Sequence, residues 1–306
     1  MSEKKPVSPK PSWLKVRAPV GENYTRIKEM LGELKLATVC QEARCPNIGE
    51  CWSGGTATFM IMGDVCTRGC RFCNVKTGNP KGILDPFEPE KIAYSISQMG
   101  LEYVVITTVD RDDLPDQGAE HFSRTVKTIK KLAPNLIVEI LAGDFRGERD
   151  LVYQLTDAKP DVYAHNIETV ERLTPKVRDP RAGYRQTLRV LEMVKERDPS
   201  RYTKSSIMLG LGEKDEEVLQ TLKDLRSVGC DVVTFGQYLQ PAKRHLKVEE
   251  YVTPEKFKEW QTTAEGMGYL YVASGPLVRS SYRAGEFFMK GIVEKQRAME
   301  LEQVNF

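Results

Sequence analysis

Three cysteines lie within eight positions of the segment CTRGCRFC, at Cys66, Cys70 and Cys73. Their C-x3-C-x2-C spacing supplies three thiolates, whereas a structural zinc site needs four protein ligands and would require a distant fourth residue. An iron–sulfur cube also has four metal corners, so three thiolates would leave one iron open to a small ligand. Gly69 permits the tight turn that such a short loop needs. The spacing favours a [4Fe–4S] cluster with one open corner.

A second triplet lies upstream in CQEARCPNIGEC, with Cys40, Cys45 and Cys51 in C-x4-C-x5-C spacing. This spacing differs from the C-x4-C-x2-C run of plant ferredoxins. Pro46 and Gly49 indicate irregular backbone between the cysteines. The pattern predicts a second three-thiolate metal site whose fourth ligand comes from elsewhere in the chain. Three separate structural cysteines are the alternative.

The compartment bears on how these cysteines are used. No run approaches the roughly 20 apolar residues of a membrane span. The N-terminus has neither the apolar core of a signal peptide nor the appearance of an Arg-rich amphipathic transit peptide. We therefore expect a cytosolic protein, in which clustered cysteines bind metal rather than form disulfides. The net charge of +2 favours neither nucleic acid nor a membrane surface as a partner.

The elements that must position these cysteines alternate along the chain. Stretches with helical spacing separate most of the short apolar runs, which predicts an α/β fold with parallel strands joined by right-handed crossovers. About six such units suit a partial (β/α)6-type TIM barrel, although periodicity alone does not exclude an open doubly wound sheet. No G-x-G-x-x-G supports a dinucleotide fold. The apolar runs are 58–63, 103–108, 136–141, 161–166, 205–210, 231–236 and 269–274.

Polar residues follow strand after strand in this reading, where a barrel would place its chemistry. TTVDRDD (107–113) follows the second run, and GQYLQP (236–241) follows the sixth. An ordinary surface loop would explain any one of these, but five in succession predict a site at this end of the barrel. The polar residues after the third to fifth runs are Asp144, Arg146, His165, Asn166, Glu168 and Glu213.

The cysteine loop behind the first strand of a β/α series resembles the radical S-adenosylmethionine (SAM) superfamily. That resemblance implies that the open iron binds the amino and carboxylate groups of SAM, which is then cleaved to a 5′-deoxyadenosyl radical. We expect Glu168 or Asp110 to accept hydrogen bonds from the ribose or the amine, and Arg181 to pair with the carboxylate. The full set of predicted SAM contacts is Thr107, Asp110, Glu139, Asn166, Glu168 and Arg181.

Four segments together resemble the lipoyl synthase family over about residues 13 to 290: CQEARCPNIGECW, TATFMIMGDVCTRGCRFCNV, TTVDRDDLPDQGA and GPLVRSSYRAGE. The resemblance implies that the upstream triplet holds an auxiliary [4Fe–4S] cluster, the sulfur source. Its fourth, labile ligand would be Ser281 of the RSSY motif; taken alone, Ser281 would read as a helix N-cap. The implied reaction inserts sulfur at C6 and C8 of an octanoyl chain on a lysine of a carrier protein.

The resemblance also implies partners. These are octanoylated lipoyl-carrier domains (the E2 subunit of a dehydrogenase complex or the H protein of glycine cleavage), an electron donor such as flavodoxin or ferredoxin, and an iron–sulfur cluster carrier. The acyl chain needs an apolar tunnel, for which Met60, Met62 and Met208 are candidates.

Three regions follow from these assignments. Residues 1–57 carry an arm, a helix and the upstream cysteines, residues 58–275 form the barrel, and residues 276–306 carry the RSSY motif. Two other interpretations remain open: a different sulfur-inserting or methylthio-transferring radical enzyme, and a non-enzymatic iron–sulfur carrier or zinc adaptor. A carrier would close each cluster with four cysteines and would not need a barrel.

Overall fold

A computed structural model describes residues 10–15, 22–34, 36–42, 45, 47–53, 58–99, 101, 103–280 and 291–294. Its strands are Ala37–Thr38 (β1), Thr58–Ile61 (β2), Val65–Cys66 (β3), Lys76–Thr77 (β4), Tyr103–Thr108 (β5), Ile137–Leu141 (β6), Val162–Ala164 (β7), Tyr202–Leu209 (β8), Val232–Gln237 (β9) and Tyr271–Gly275 (β10).

The helices are Glu22–Glu33 (α1), Val39–Glu42 (α2), Ile48–Ser53 (α3), Glu88–Met99 (α4), Ala119–Leu132 (α5), Arg149–Thr156 (α6), Thr174–Val177 (α7), Tyr184–Arg197 (α8), Asp215–Ser227 (α9) and Pro254–Gly266 (α10). Short 3-10 turns cover Ser12–Leu14, Phe145–Gly147 and Glu171–Leu173. None of the described helices combines the length and the apolar character needed to cross a membrane.

One sheet of eight strands organises the chain, in the order β1-β2-β5-β6-β7-β8-β9-β10. Every pairing from β2 to β10 is parallel, and only β1 runs antiparallel to its neighbour. Among the described residues no pairing joins the last strand to the first, so the sheet does not close. The α/β fold with a partial parallel barrel is thus confirmed, as six strand–helix units followed by β10.

The strands are apolar because both faces of a parallel sheet are covered. All six residues of β9 are buried, and β5 is buried up to its last residue. The intervening helices present one apolar stripe to the sheet, as predicted from their spacing: Phe122, Val126 and Ile129 of α5 are all buried. Each of the seven apolar runs in the sequence overlaps one strand of this sheet.

Two segments outside the strand–helix units pack on the carboxyl end of the strands or next to it. The N-terminal segment adds β1 beside β2, with Ala37 opposite Met60, and its Tyr24 ring lies 5.2 Å from the buried ring of Trp52. The C-terminal segment passes so close to β9 that a Cβ on Gly236 would lie 2.2 Å from the carbonyl oxygen of Val278. This close approach explains why position 236 of β9 is a glycine, which has no Cβ.

Candidate active site

A cavity of about 540 Å³ opens where the strand ends and the two added segments meet. Side chains from β2, β5, β6, β8 and β9, or from the loops after them, line its walls. Of the polar residues predicted after the third to fifth runs, Asp144, His165, Asn166 and Glu168 line the cavity, whereas Arg146 and Glu213 do not. All six cysteines of the two triplets also line it: Cys40, Cys45, Cys51, Cys66, Cys70 and Cys73.

The cluster loop, residues 66–73, has the donor chemistry of an iron–sulfur ligand set. Its three cysteines are free, and backbone amides approach two of the sulfurs: Arg68 N lies 3.4 Å from Cys66 Sγ, and Asp179 N lies 3.3 Å from Cys70 Sγ. Burial raises the pKa of Cys66 and of Cys70 to about 12, so both are neutral thiols until a cation binds. These residues fit a cluster.

No three His, Cys, Asp or Glu side chains of the described part of the chain converge on a position suited to a single metal ion. The thiolates of an iron–sulfur cube each bind a different iron, so they need not converge on one point.

A buried arginine fixes the first half of the cluster loop. Arg68 is 3% exposed; its guanidinium donates to Asp112 over 2.9 and 3.0 Å and to Asp144 over 2.6 and 2.9 Å, and lies 3.6 Å from Asp110. These aspartates follow β5 and β6. Burial opposes ionisation of Asp144, but the hydrogen bonds and charge of Arg68 outweigh it and lower the pKa of that carboxyl. One cation therefore links the loop to two strand ends.

Asp179 and Arg181 hold the outer side of the same loop. Asp179 Oδ2 accepts a 2.8 Å hydrogen bond from Gly69 N, and Arg181 donates to Asp179 and, over 2.8 Å, to the carbonyl of Thr67. The guanidinium of Arg181 does not line the cavity, whereas the buried Arg178 does. The predicted pairing of Arg181 with the SAM carboxylate is therefore not favoured, because that side chain supports the loop from outside.

Four of the six predicted SAM contacts line the cavity: Thr107, Asp110, Asn166 and Glu168. Asp110 Oδ2 lies 3.8 Å from Cys66 Sγ, and burial raises the pKa of this carboxyl to about 6. Glu168 has the left-handed φ of 68°, unusual for a residue with a side chain, and burial raises its pKa also. Both carboxyls thus lie at the cavity wall, where burial favours their neutral forms.

Glu139 does not line the cavity. Its carboxylate is buried and accepts from Lys204 Nζ over 2.8 and 2.9 Å and from Tyr103 Oη over 2.5 Å. A buried ion pair with an added hydrogen bond leaves the carboxylate engaged within the protein. The structure therefore does not favour the predicted contact of Glu139 with SAM.

Three buried polar atoms of residues that line the cavity have no partner within the described chain. They are Nε2 of His165, Oδ1 of Asn166 and Nε of Arg178. His165 Nδ1 lies 2.9 Å from the carbonyl oxygen of Ala142, and burial lowers the pKa of the imidazole to about 4, so the ring is neutral. Buried polar groups without a partner are rare in folded proteins, and a ligand or water in the cavity would satisfy these. His165 was visible as a polar residue after a strand, but no motif marked it as a contact.

Of the three methionines predicted to form the acyl tunnel, two line the cavity and one does not. Met60 and Met208 line the cavity, as expected for an acyl tunnel. Met62 does not: it packs against the helix start at Gly118, where an added Cβ would lie 2.1 Å from its sulfur. The predicted role of Met62 in the tunnel is therefore not favoured by its position.

Two hydrogen bonds join the segment that carries the upstream cysteines to distant parts of the chain. Asn47 Nδ2 donates over 2.7 Å to the carbonyl of Leu277, and Asn74 Nδ2 donates over 3.0 Å to the carbonyl of Glu42. Burial raises the pKa of Cys40 to about 11. Arg279 and Ser280 line the same cavity, while Ser281 lies outside the described residues. Two buried thiols and the half-buried Cys45 share the cavity with Arg279 and Ser280, and this donor set fits a second cluster.

Family profiles match two parts of the chain. The Radical SAM superfamily matches residues 60–225, and the N-terminal domain of lipoyl synthase of the Radical SAM family matches residues 2–45. Among solved structures, methylornithine synthase superposes with a TM-score of 0.55 at 14% identity, covering 84% of each chain. The hydrogenase maturase HydG of Carboxydothermus hydrogenoformans gives 0.54 at 12% identity, covering 88% of this chain and 79% of that one. These two similarities show the fold.

Curated relatives are much closer in sequence. Lipoyl synthase, mitochondrial, of Culex quinquefasciatus is 60% identical over 96% of this chain and 78% of its own length. The proteins of the same name from Aedes aegypti and Scheffersomyces stipitis are 61% and 62% identical over 96% and 94% of this chain, and 76% and 73% of their own lengths.

The names of these relatives correct one expectation. All three are called mitochondrial, so the cytosolic location predicted from the N-terminal sequence is wrong. A stretch without recognisable leader features does not establish a compartment.

Identity of this extent and the two profile matches agree with the site, in which a C-x3-C-x2-C loop shares its cavity with a second cysteine triplet. The superfamily implies a [4Fe–4S] cluster and SAM, and the relatives imply a lipoyl-carrier protein as substrate. The chain belongs to the lipoyl synthase family of radical SAM enzymes, which insert sulfur.

Proposed function

We propose that this enzyme inserts two sulfur atoms, at C6 and C8, into an octanoyl chain that is amide-linked to a lysine of a lipoyl-carrier protein. The observation that carries the proposal is the shared cavity. Both cysteine triplets line it, so two metal groups bound there would face one substrate chain. An aliphatic C–H bond is too weak an acid for a side-chain base, so the enzyme needs radical chemistry.

Two [4Fe–4S] clusters and SAM complete the site in this proposal. When bound, SAM and the cluster held by Cys66, Cys70 and Cys73 would supply a carbon-centred radical. The cluster held by Cys40, Cys45 and Cys51 would supply sulfur. The chain's own residues bind and orient the reactants. Met60 and Met208 offer apolar surface to the acyl chain.

We assign SAM binding to cavity residues and revise the predicted set. Thr107, Asp110, Asn166 and Glu168 remain in it, joined by His165, which lines the cavity and whose Nε2 has no partner among the described residues. Arg178 replaces Arg181 as the cation for the SAM carboxylate. Arg178 Nη1 donates over 2.7 Å to Thr187 Oγ1 and over 3.4 Å to the carbonyl of Ile167, which fixes the guanidinium at the cavity wall and supports this assignment.

Ser281 is proposed as the labile fourth ligand of the auxiliary cluster. Its neighbours Arg279 and Ser280 line the cavity beside Cys45, which supports the assignment. An oxygen ligand on a soft iron–sulfur centre is a poorer match than a thiolate and so is released more easily. A Ser281→Cys variant should keep both clusters yet lose sulfur insertion; full product from that variant would contradict the role.

The proposed macromolecular partners are the carrier domain, an electron donor such as flavodoxin or ferredoxin, and an iron–sulfur cluster carrier. The carriers are the E2 subunit of a dehydrogenase complex or the H protein of glycine cleavage. We retain the regions 1–57, 58–275 and 276–306 as functional units, and the bond between Asn47, which lines the cavity, and Leu277 supports a junction of the first and last regions beside the barrel.

The reaction is tested anaerobically with an octanoyl-lysyl peptide, SAM and dithionite, with mass spectrometry of the peptide. We expect a product with two added sulfur atoms, and 5′-deoxyadenosine whose formation needs Cys66, Cys70 and Cys73. Methylthio addition would indicate a different radical enzyme. An absence of SAM cleavage, with intact clusters, would indicate an electron carrier.

A further inference from the structure

The loop after β9 makes two contacts with the cluster loop that no part of the proposed reaction requires. Tyr238, Leu239, Gln240 and Pro241 line the cavity, and the chain then turns back at His245. His245 Nε2 lies 2.9 Å from the carbonyl oxygen of Cys73, although the two residues are 172 positions apart. Leu246 N donates over 3.3 Å to the carbonyl of Arg71.

The imidazole is held in place for this contact. His245 is 9% exposed, its backbone N donates over 3.0 Å to the carbonyl of Ala242, and its own carbonyl accepts from Gln240 Nε2 over 2.9 Å. Tyr238 Oη fixes the next residue by donating over 2.7 Å to the carbonyl of Leu246. The turn is therefore built by its own hydrogen bonds before it meets the cluster loop.

The ring nitrogens both face carbonyl oxygens. Nδ1 lies 3.2 Å from the carbonyl oxygen of Ala242, and Nε2 makes the shorter 2.9 Å contact with Cys73. A neutral imidazole has one N–H, and a carbonyl can only accept. The shorter distance places that N–H on Nε2, so His245 donates to Cys73.

The contact completes the support of the cluster loop. Arg68 in the first half of the loop bonds to aspartates that follow β5 and β6, and Gly69 N donates to Asp179, which follows α7. Only the loop after β9, among the described residues that hydrogen-bond to this segment, reaches the carbonyl of the last cysteine. Cys73 would otherwise keep a backbone carbonyl without a side-chain donor.

We propose that His245 is a positioning residue that fixes the backbone of Cys73 by donating from Nε2 to its carbonyl, so that the third thiolate is preorganised for the cluster. The inference rests on the proposed function only in naming Cys73 a cluster ligand; the hydrogen bond itself involves no metal. It also connects the cavity wall at 238–241 with the cluster loop through one short turn.

The first test uses the metal-free wild-type protein. Histidine labelled with ¹³C reports the tautomer from its Cδ2 chemical shift, and the chain has only three histidines. We expect His245, assigned by its loss in His245→Gln, to be the Nε2–H tautomer or doubly protonated. The Nδ1–H tautomer would overturn the proposal, because it leaves no donor toward Cys73.

The second test compares His245→Gln with His245→Met, which have similar length and differ in the N–H donor. Hydrogen exchange of metal-free protein should be faster in His245→Met by roughly tenfold over residues 70–77, since the half-buried carbonyl of Cys73 loses its donor. His245→Gln should stay near wild type, and so should Arg244→Ala, an exposed neighbour. Equal exchange in the Gln and Met variants would overturn the proposal.

Iron and sulfide analysis separates this proposal from the functional one. If His245 positions Cys73, reconstituted His245→Met should retain less iron at the C-x3-C-x2-C site than His245→Gln, as read from the electron paramagnetic resonance signal of the reduced cluster. A wild-type protein that binds no cluster at Cys66, Cys70 and Cys73 would refute the functional proposal while leaving the exchange result intact.

Discussion

Asn47 Nδ2 donates a hydrogen bond of 2.7 Å to the carbonyl oxygen of Leu277, a residue 230 positions further along the chain. Asn47 is buried within the upstream cysteine triplet, and Leu277 lies four residues before Ser281. This bond joins the two segments that must meet if a serine of the RSSY motif completes a three-cysteine site. It is therefore the described contact that most directly supports the proposed auxiliary cluster.

Replacement of Asn47 by alanine should weaken this junction. The half-buried carbonyl of Leu277 loses its donor, which we expect to lower the free energy of unfolding by about 1 kcal/mol. We expect sulfur insertion to fall more than SAM cleavage, because the C-x3-C-x2-C loop does not depend on this bond. Denaturant unfolding and product analysis measure the two effects, with exposed Asn79→Ala as control; a parallel loss of SAM cleavage would argue against separate sites.

A methyl group at Gly236 should disrupt the same junction from the other side. Its Cβ would lie 2.2 Å from the backbone oxygen of Val278, which cannot move away as a flexible side chain can. We expect Gly236→Ala to destabilise the protein by about 1–3 kcal/mol, as overpacking does.

The matched control for that substitution is Gly266→Ala. Gly266 ends α10, and a Cβ there meets no atom within 4 Å. Thermal unfolding should show Gly266→Ala close to wild type or slightly more stable, since alanine favours helix. Equal destabilisation by both variants would show that the close approach of the C-terminal segment to β9 is not what Gly236 serves.

Removal of Arg68 should have a pH-dependent cost. Arg68→Met leaves the buried Asp144 without its cation and removes one of the two arginine partners of the half-buried Asp112, which we expect to cost about 3–5 kcal/mol at neutral pH. Arg68 lowers the pKa of both carboxyls in the folded protein. Their stabilisation is present above their unfolded pKa of about 3.9 and is lost as the pH falls through the lower folded value.

The difference in unfolding free energy between wild type and Arg68→Met should therefore shrink as the pH falls below about 4. Denaturant unfolding between neutral pH and pH 3 measures it. Arg68→Lys keeps the charge but loses the planar fork, so an intermediate value is expected. A difference that stays constant with pH would contradict the assignment of these ion pairs.

The two arginines near the cluster loop should differ in their effect on SAM. Arg178 lines the cavity, whereas Arg181 supports the loop from outside through Asp179 and the carbonyl of Thr67. Loss of a charge-assisted hydrogen bond in Arg178→Met should weaken SAM binding by roughly tenfold or more. Calorimetry on reconstituted protein should show a smaller change for Arg181→Ala, and the reverse order would restore Arg181 as the contact.

Sequence predicted the elements whose signal is local. Each strand of the parallel sheet coincides with a short apolar run, and the convergence of Thr107, Asp110, Asn166 and Glu168 follows from parallel strand ends meeting at one edge. Glu139 was misplaced because it also lies on a strand, but nearer its middle, where its carboxylate pairs with Lys204.

Contacts between distant segments had no signal in one sequence. Arg178 and Arg181 are three residues apart, and only the fold decides which one reaches the cavity. The bond from His245 to Cys73 spans 172 positions, and neither residue type predicts which residue it will contact. Such pairings depend on loop geometry, which hydrophobic periodicity does not determine.

The central claim is that two separate three-thiolate sites open on one cavity, and iron stoichiometry tests it most directly. Anaerobically reconstituted wild type should bind about eight irons per chain, as two four-iron cubes. Alanine replacement of Cys40, Cys45 and Cys51 together, or of Cys66, Cys70 and Cys73 together, should each leave about four, with Mössbauer spectra of one cube. A wild type with about four irons, or either triple variant with none, would contradict the account.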